Sequence, residues 1–540
     1  MTLNKKPNAF GTFVDPFVLK KLESIPKDDI YGLSIFAERF FRYLLRYTDF
    51  DEFHLFSLGL PSETRESRLS ELDPRIRIRP LSDFGPAQDE TNFVVLHNPW
   101  GVHIGPLIDL RNRVSDRNIP VTGLTHTISY QSLLSRTVLT MALGMKPWDS
   151  IICTAECAVI AMQNWISHLR DGLGERISVD YQGRLDKIPL GVDSKIFCRR
   201  EKDESRRQFG LPQDHVIILY LGRFSTYDKM DLAPLLLAFK NAIRQESLPC
   251  MLVMAGADSR FKYAERVMEL AGRLGVSDSV RILRDLPDSD VPLLYSAADV
   301  FISPSDNLQE TFGQTVIEAM ASELPVICSD WDGYRDLIVD GKTGYLIPTY
   351  WQECDSLICD YSGLWEPSVT HFYLSQTVAV DVELMAAALR QLISSAELRA
   401  SMGAEGRRRV LELYDWSIVI RSYADLWEEL NRLASSQPFA PQPSSWFRPS
   451  FFSTFKHYAT SMIEPVTQVR ATNNENPLPW YEELDSRIKP EVIHAIREHS
   501  QEAIPVEELE ADVRKATGAQ LEEFRFHLLW MLKYNEMKKM

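Results

Sequence analysis

Two basic and two acidic side chains carry the most legible chemistry in this chain. Arg223 directly follows the apolar run ILYLG, and Lys229 lies six residues further on. Both belong to a strand-to-helix loop, where a lysine serves as a point charge and an arginine as a fork toward one pyrophosphate. Taken alone they read as solvated loop charges. The acidic pair, Glu310 and Glu318, is separated by seven residues in ETFGQTVIE. Glu310 falls in a loop after a strand that ends near Ser305, Gly313 stands where a helix opens, and Glu318 lies a turn and a half inside that helix. A helix N-terminus presents unpaired N–H groups and a partial positive charge to phosphate, and Gly313 lets the phosphate approach the backbone closely. Carboxylates beside an anion site make sense when they accept hydrogen bonds from hydroxyl pairs. Glu310 then holds a sugar and Glu318 a ribose, with the phosphates between them. Each glutamate alone reads as an ordinary surface residue; together with the basic pair they read as a site.

These residues need a frame. Apolar runs at 52–58, 93–99, 121–127 and 150–156 read as buried strands. Helical patterns alternate with them, among them IFAERFFRYLLRY at 35–47 and CAVIAMQNWISHLR at 157–170. A second alternating block has strands at 216–224, 251–258, 280–286, 299–305, 324–330 and 344–349, with DLAPLLLAFKNAIR at 231–244 as one of its helices. Strand and helix in alternation imply parallel sheets covered on both faces. The expected fold is therefore α/β: two Rossmann-like, doubly wound domains facing across a cleft, plus a helical C-terminal extension. Such folds bind ligands at the carboxyl ends of their strands. The expected division is a first Rossmann-like domain over 1–195, a second over 196–415 and a returning helix over 416–434. A linker or strap over 435–470, rich in Pro, Ser and aromatics, and a helical extension over 471–540 follow. Residues 350–373 interrupt the pattern as an aromatic, acidic insertion.

Composition excludes some classes. The 540 residues carry a formal net charge of −16, which argues against nucleic-acid binding, since that draws on Lys and Arg against phosphates. The seven cysteines (153, 157, 198, 250, 328, 354 and 359) lack zinc-site spacing and read as buried or idle thiols. The N-terminus has no apolar stretch of signal-peptide length, and no window approaches a membrane span, so a cytoplasmic location is expected. WFRPSFFSTFKHY at 446–458 mixes aromatic and basic groups, a composition that allows weak membrane-surface or protein contact but reads first as a helical strap packed on the main domains.

The motifs LGRFSTYDK at 221–229, ETFGQTVIE at 310–318 and IPLGVD at 188–193, supported by GLTHT at 123–127 and YSAADVFISPS at 295–305, resemble those of the retaining GT-B glycosyltransferases of family 4. The similarity covers roughly residues 30–430 and is stronger in the second half. It implies transfer of a hexose or N-acetylhexosamine from a nucleotide-sugar, UDP-linked first and GDP-linked second, to an acceptor hydroxyl. In such enzymes neither a metal nor any other cofactor is needed and the anomeric configuration is kept. Arg223 and Lys229 match the diphosphate-binding pair, Glu310 the sugar contact and Glu318 the ribose contact. The backbone around Thr311, Phe312, Gly313, Gln314 and Thr315 matches the segment lining sugar and phosphate. His126 matches a first-domain histidine beside the reacting bond; from the residues alone it fits strand-end packing as well as ligand contact. Three positions depart from the family: Met230 and Arg284 stand where glycines are usual, and a single Gly32 replaces a glycine pair in the loop before the helix at 35–47. Gly32 and Arg284 thereby bear on the acceptor pocket and the nucleotide base. The acceptor stays open among a glycan, a lipid-linked sugar, a protein side chain and a small molecule. The alternatives are a nucleotide-sugar epimerase and a non-catalytic GT-B subunit.

Overall fold

A computed structural model describes residues 6–14, 32–57, 73–173, 180–244, 248–258, 262–440, 450–472 and 488–540. Seven parallel strands form the first sheet: β1 (Asn8–Val14), β2 (Glu52–Ser57), β3 (Ile76–Pro80), β4 (Asn92–Asn98), β5 (Val121–Leu124), β6 (Ser150–Cys153) and β7 (Arg184–Lys187). Their order is β3-β2-β1-β4-β5-β6-β7. The second sheet comprises β8 (Val216–Leu221), β9 (Cys250–Gly256), β10 (Val280–Arg284), β11 (Val300–Ser303), β12 (Val326–Ser329) and β13 (Gly344–Ile347), also parallel, in the order β10-β9-β8-β11-β12-β13. Both orders reverse direction once, between β1 and β4 and between β8 and β11. At such a switch point the following loops diverge and leave a crevice.

The central strands are apolar on both faces because helices cover both. VIIL of β8 is buried throughout, and β11 and β12 are buried over their whole length. The two faces of the second sheet belong to separate apolar clusters, one containing Ile218, Leu236 and Leu389, the other Leu219, Val316 and Val410.

The helix Trp416–Ser435 leaves the second domain and packs on the first. Trp416, Val419, Ile420, Tyr423, Trp427 and Leu430 repeat at helical spacing and join Phe10, Phe40 and Leu44 in one core. Trp427 Nε1 donates to Thr122 Oγ1 on β5 at 3.2 Å. The chain thus crosses between domains twice, and the crossings touch: Val192 N donates to Tyr414 O at 2.8 Å, and Trp416 N to Val192 O at 3.2 Å.

Several elements differ from the sequence expectation. β1, β3 and β7 have no counterpart in the apolar-run reading. The helix expected at 35–47 begins at Gly32, so Gly32 is a helix residue here and not part of a preceding loop. The insertion holds two helices, Ser356–Ser362 and Pro367–Ser375. The C-terminal segment is not purely helical: helices Pro490–His499, Val506–Thr517 and Leu521–Lys533 pack with a three-stranded antiparallel sheet. It has its own core, including Val469, Ile496, Leu509, Phe524 and Met531. Part of the expected linker and the start of the extension (441–449 and 473–487) lie outside the described residues.

Candidate functional site

The loops that carry Arg223, Lys229, Glu310 and His126 leave the carboxyl ends of β8, β11 and β5, and the Glu310 loop meets the His126 loop through the Thr311–His126 hydrogen bond. Arg223 and Lys229 follow β8, and Glu310 follows β11. Lys229 Nζ donates to Glu310 Oε2 at 2.5 Å, with side-chain exposures of 18% and 13%. Burial alone would raise the Glu310 pKa. The adjacent ammonium, aided by the Phe312 and Thr311 N–H groups, outweighs it and holds the carboxylate below its ordinary value. Arg223 lies at the mouth of the same loop, where its guanidinium bonds Asp228 Oδ2 at 2.9 Å and the Asp228 carbonyl at 3.2 Å. Met230, at the position where the family often has glycine, is 1% exposed and fills the apolar core beneath the loop.

The glutamate-bearing helix opens as the spacing requires. Gly313 is its N-cap at φ +106°, and the helix runs Gln314–Ala321. A Cβ on Gly313 would lie 2.4 Å from the Tyr334 ring, so glycine is demanded by both conformation and space. The first-turn N–H groups of Gln314 and Thr315 have no carbonyl partner within the helix, as at any helix N-terminus. Phe312 is a core side chain, 2% exposed, so only its backbone belongs to the site. Thr311 and Gln314 use their side chains between domains: Thr311 Oγ1 donates to His126 O at 3.0 Å, and Gln314 Nε2 to Gly191 O at 3.1 Å.

Glu318 brings in a residue that sequence reading missed. Its Oε1 accepts from Arg39 Nη1 at 3.1 Å, and its Oε2 from Tyr295 OH at 3.1 Å. Arg39 belongs to the first-domain helix Gly32–Tyr47, so this ion pair spans the cleft. Burial raises the Glu318 pKa, opposed by Arg39. No local signal in the sequence links positions so far apart. Arg284 ends β10 half-exposed, 4.0 Å from Asp258.

His126 forms the opposite wall. Its Nε2–H donates to Pro99 O at 3.0 Å, and burial pushes its pKa down to about 4, so the ring is neutral near pH 7. Beside it, the insertion reaches across from the second domain. His371 stacks on Tyr130 with ring centroids 5.1 Å apart and shares a 2.8 Å hydrogen bond with Ser129 Oγ. Phe372 stacks on Tyr227, in the Arg223–Lys229 loop.

Some buried polar atoms without hydrogen-bond partners among the described residues follow these strands: Trp100 Nε1 and His103 Nδ1 come after β4, and Asp228 Oδ1, Gln309 Oε1, Thr315 Oγ1 and Asp332 Oδ2 belong to the second domain. Most buried polar atoms in stable folds are paired, so these are free to meet a polar ligand. Among the described residues no group of three or more His, Cys, Asp or Glu side chains is arranged to hold a metal ion. The seven cysteines are unpaired thiols, and no described helix is long and apolar enough to cross a membrane.

Comparison with known proteins agrees with this geometry. Residues 201–358 match the family model described as Glycosyl transferases group 1, which bears out the resemblance carried by the second-domain motifs. A D-inositol 3-phosphate glycosyltransferase from Geodermatophilus obscurus is 34% identical over 242 residues, 43% of this chain and 51% of that protein. The chain spans about half the length of that curated relative. Among solved structures, sucrose-phosphate synthase from Thermosynechococcus elongatus matches with a TM-score of 0.54 at 19% identity, over 79% of this chain and 100% of that one. Anabaena HepE in complex with UDP matches with a TM-score of 0.53 at 14% identity, over 78% and 100%. These likenesses show the GT-B fold: two Rossmann-like domains facing across a cleft.

Proposed function

We propose that this chain is a retaining glycosyltransferase that moves a hexose or N-acetylhexosamine from a nucleotide-sugar to an acceptor hydroxyl without a metal ion. The observation that carries this reading is the Lys229–Glu310 pair. A cation and a hydroxyl-binding carboxylate stand 2.5 Å apart, beside Arg223 and a helix N-terminus, at a topological switch point facing a second Rossmann-like domain. The diphosphate is held by Arg223, Lys229 and the first-turn N–H groups of Gln314 and Thr315. These groups are fixed before the reaction and stabilise the charge that grows on the leaving phosphate. Glu310 accepts from hydroxyls of the transferred sugar and Glu318 from the ribose. Arg39 pairs with Glu318 and partly offsets the cost of burying its carboxylate.

His126 closes the first-domain side as a neutral hydrogen-bonding group. With its pKa near 4, it is a poor proton acceptor for an acceptor alcohol, which fits abstraction of that proton by the leaving phosphate on the same sugar face. A UDP-sugar is the first donor to test, in keeping with UDP in the HepE structure. D-Inositol 3-phosphate, in the relative's name, joins glycans, lipid-linked sugars and small polyols among the acceptors to test.

The test is nucleotide release from UDP-, GDP- and ADP-sugars in EDTA, with and without acceptors. Release from one donor that disappears in Glu310→Ala is the expected result. Release that requires a divalent ion overturns the metal-independent part, and absence of nucleotide binding overturns the whole.

A further inference from the structure

The turn after β12, Asp330–Tyr334, holds a carboxyl group of which the fold uses one oxygen and leaves the other unpaired among the described residues. Asp332 adopts φ +39°, a left-handed conformation that costs an L-residue energy even though aspartate tolerates it better than most. Its Oδ1 accepts from Tyr334 N at 3.3 Å, while Oδ2 is buried with no hydrogen-bond partner among the described residues. Glycine would relieve the backbone, and asparagine would avoid burying an acid. A strained residue with an unsatisfied buried polar atom is the signature of a site held for something other than stability.

The turn is also fixed to the donor loop. A Cβ at Gly333 would lie 2.5 Å from Thr311 O and 2.6 Å from Phe312 Cα, so the two backbones touch with no room for a side chain. Trp331 Nε1 donates to Asn307 O at 3.2 Å. Asp332 is thereby held within the electrostatic reach of both Glu310 and Lys229.

We propose that Asp332 is a donor-sugar recognition residue, whose unpartnered carboxyl oxygen acts with Glu310 to engage hydroxyl groups of the hexose carried by the nucleoside diphosphate. This rests on the nucleotide-sugar reading above and adds to it the residue that distinguishes the sugar from the bare nucleotide. Burial, and then the charge of Glu310, raise the Asp332 pKa above its ordinary value, whereas Lys229 lowers that of Glu310. Carboxyl oxygens accept hydrogen bonds from sugar hydroxyls.

Calorimetric titration of the full-length protein with UDP, GDP and their glucose and mannose derivatives tests this, for wild type, Asp332→Gly and Asp332→Asn, alongside melting curves. For the diphosphate that wild type binds, we expect both variants to keep its affinity within about twofold. Asp332→Gly should melt at or above the wild-type temperature yet lose about tenfold or more in affinity for the matching nucleotide-sugar. Asp332→Asn, which keeps an acceptor oxygen at the same place, should lose less. Unchanged sugar affinity in Asp332→Gly overturns the proposal and leaves the nucleotide-sugar reading standing. A lower melting temperature in both variants overturns it in favour of a structural role. Failure of wild type to bind any of the four probes overturns the underlying reading instead.

Discussion

Removing one partner of the Lys229–Glu310 pair should separate function from folding. The two groups lie on loops at the cleft, and each holds the other's charge at low exposure. If Lys229 holds the diphosphate as proposed, Lys229→Ala should lower kcat by about 100-fold or more, by deleting a fixed charge there. Its melting temperature should fall only a few degrees, and steady-state kinetics with calorimetry check both. If the variant cannot be isolated folded, the lysine is structural. Asp306, just before the Glu310 loop, gives a pH signature. Its pKa is raised from 3.8 to about 8 by burial, with Asp231 N as a hydrogen-bond donor and the Asp231 charge adding to the rise. The native state thus binds this proton more tightly than the unfolded chain, so stability falls as pH rises from about 4 toward 8. The slope from one such group is at most about 1.4 kcal/mol per pH unit. Denaturant titrations at several pH values should show that slope in wild type and its loss in Asp306→Asn. At this scale the sequence was partly legible. Arg223, Lys229 and Glu310 could be singled out as candidates because each sits in a motif of fixed local spacing. Arg39 and Asp332 could not, because their contacts are made by the fold and leave no pattern along the chain.

Among the elements, legibility followed burial. β8, β9, β11 and β12 lie inside the second sheet and read as unbroken apolar runs, because helices cover both faces. β3 (IRIRP) and β7 (RLDK) are edge strands, one at each end of the first sheet, and their charged residues mask them. β1 is central yet was missed, since NAFGTFV mixes polar residues and a glycine with its aromatics. The short strands of the C-terminal sheet, Gln468–Ala471, Ile504–Pro505 and Met537–Lys539, are too brief to establish a period. What pins the first sheet's helices to its strands is partly ionic. Arg111 Nη1 and Nη2 bind Asp149 Oδ1 and Oδ2 at 2.9 and 2.7 Å, and Asp149 also accepts from the Val121 and Lys146 N–H groups. Both residues are almost wholly buried. Asp149→Ala should therefore destabilise the protein by about 3–5 kcal/mol, because it strands a buried guanidinium. Replacing both by apolar residues of similar volume should cost much less. Chemical denaturation of the single and double variants measures the difference.

At the scale of the whole chain, the contacts across the cleft near the site are largely polar: Arg39 with Glu318, Thr311 with His126, Glu156 N with Asp336 and Ser129 with His371. Polar interdomain surfaces exchange readily with water, so relative motion of the two halves is the physical expectation. The C-terminal segment has its own apolar core, and ending the chain after residue 440 should leave nucleotide affinity within about twofold. Residues 437 and 438 must stay, since Asn118 donates to both carbonyls; a cut at 436 should weaken the anchorage of the preceding helix. Titration of the shortened chain with the nucleotide that wild type binds decides this. The paired crossings at Val192 and Tyr414–Trp416 carry a further consequence. Because the chain enters and leaves the second domain at adjacent points, that domain is a continuous insert within the first, and its ends meet side by side. It is a cassette: the second domain of another protein of this fold should be graftable at two neighbouring junctions, leaving the first domain and its anchoring helix intact.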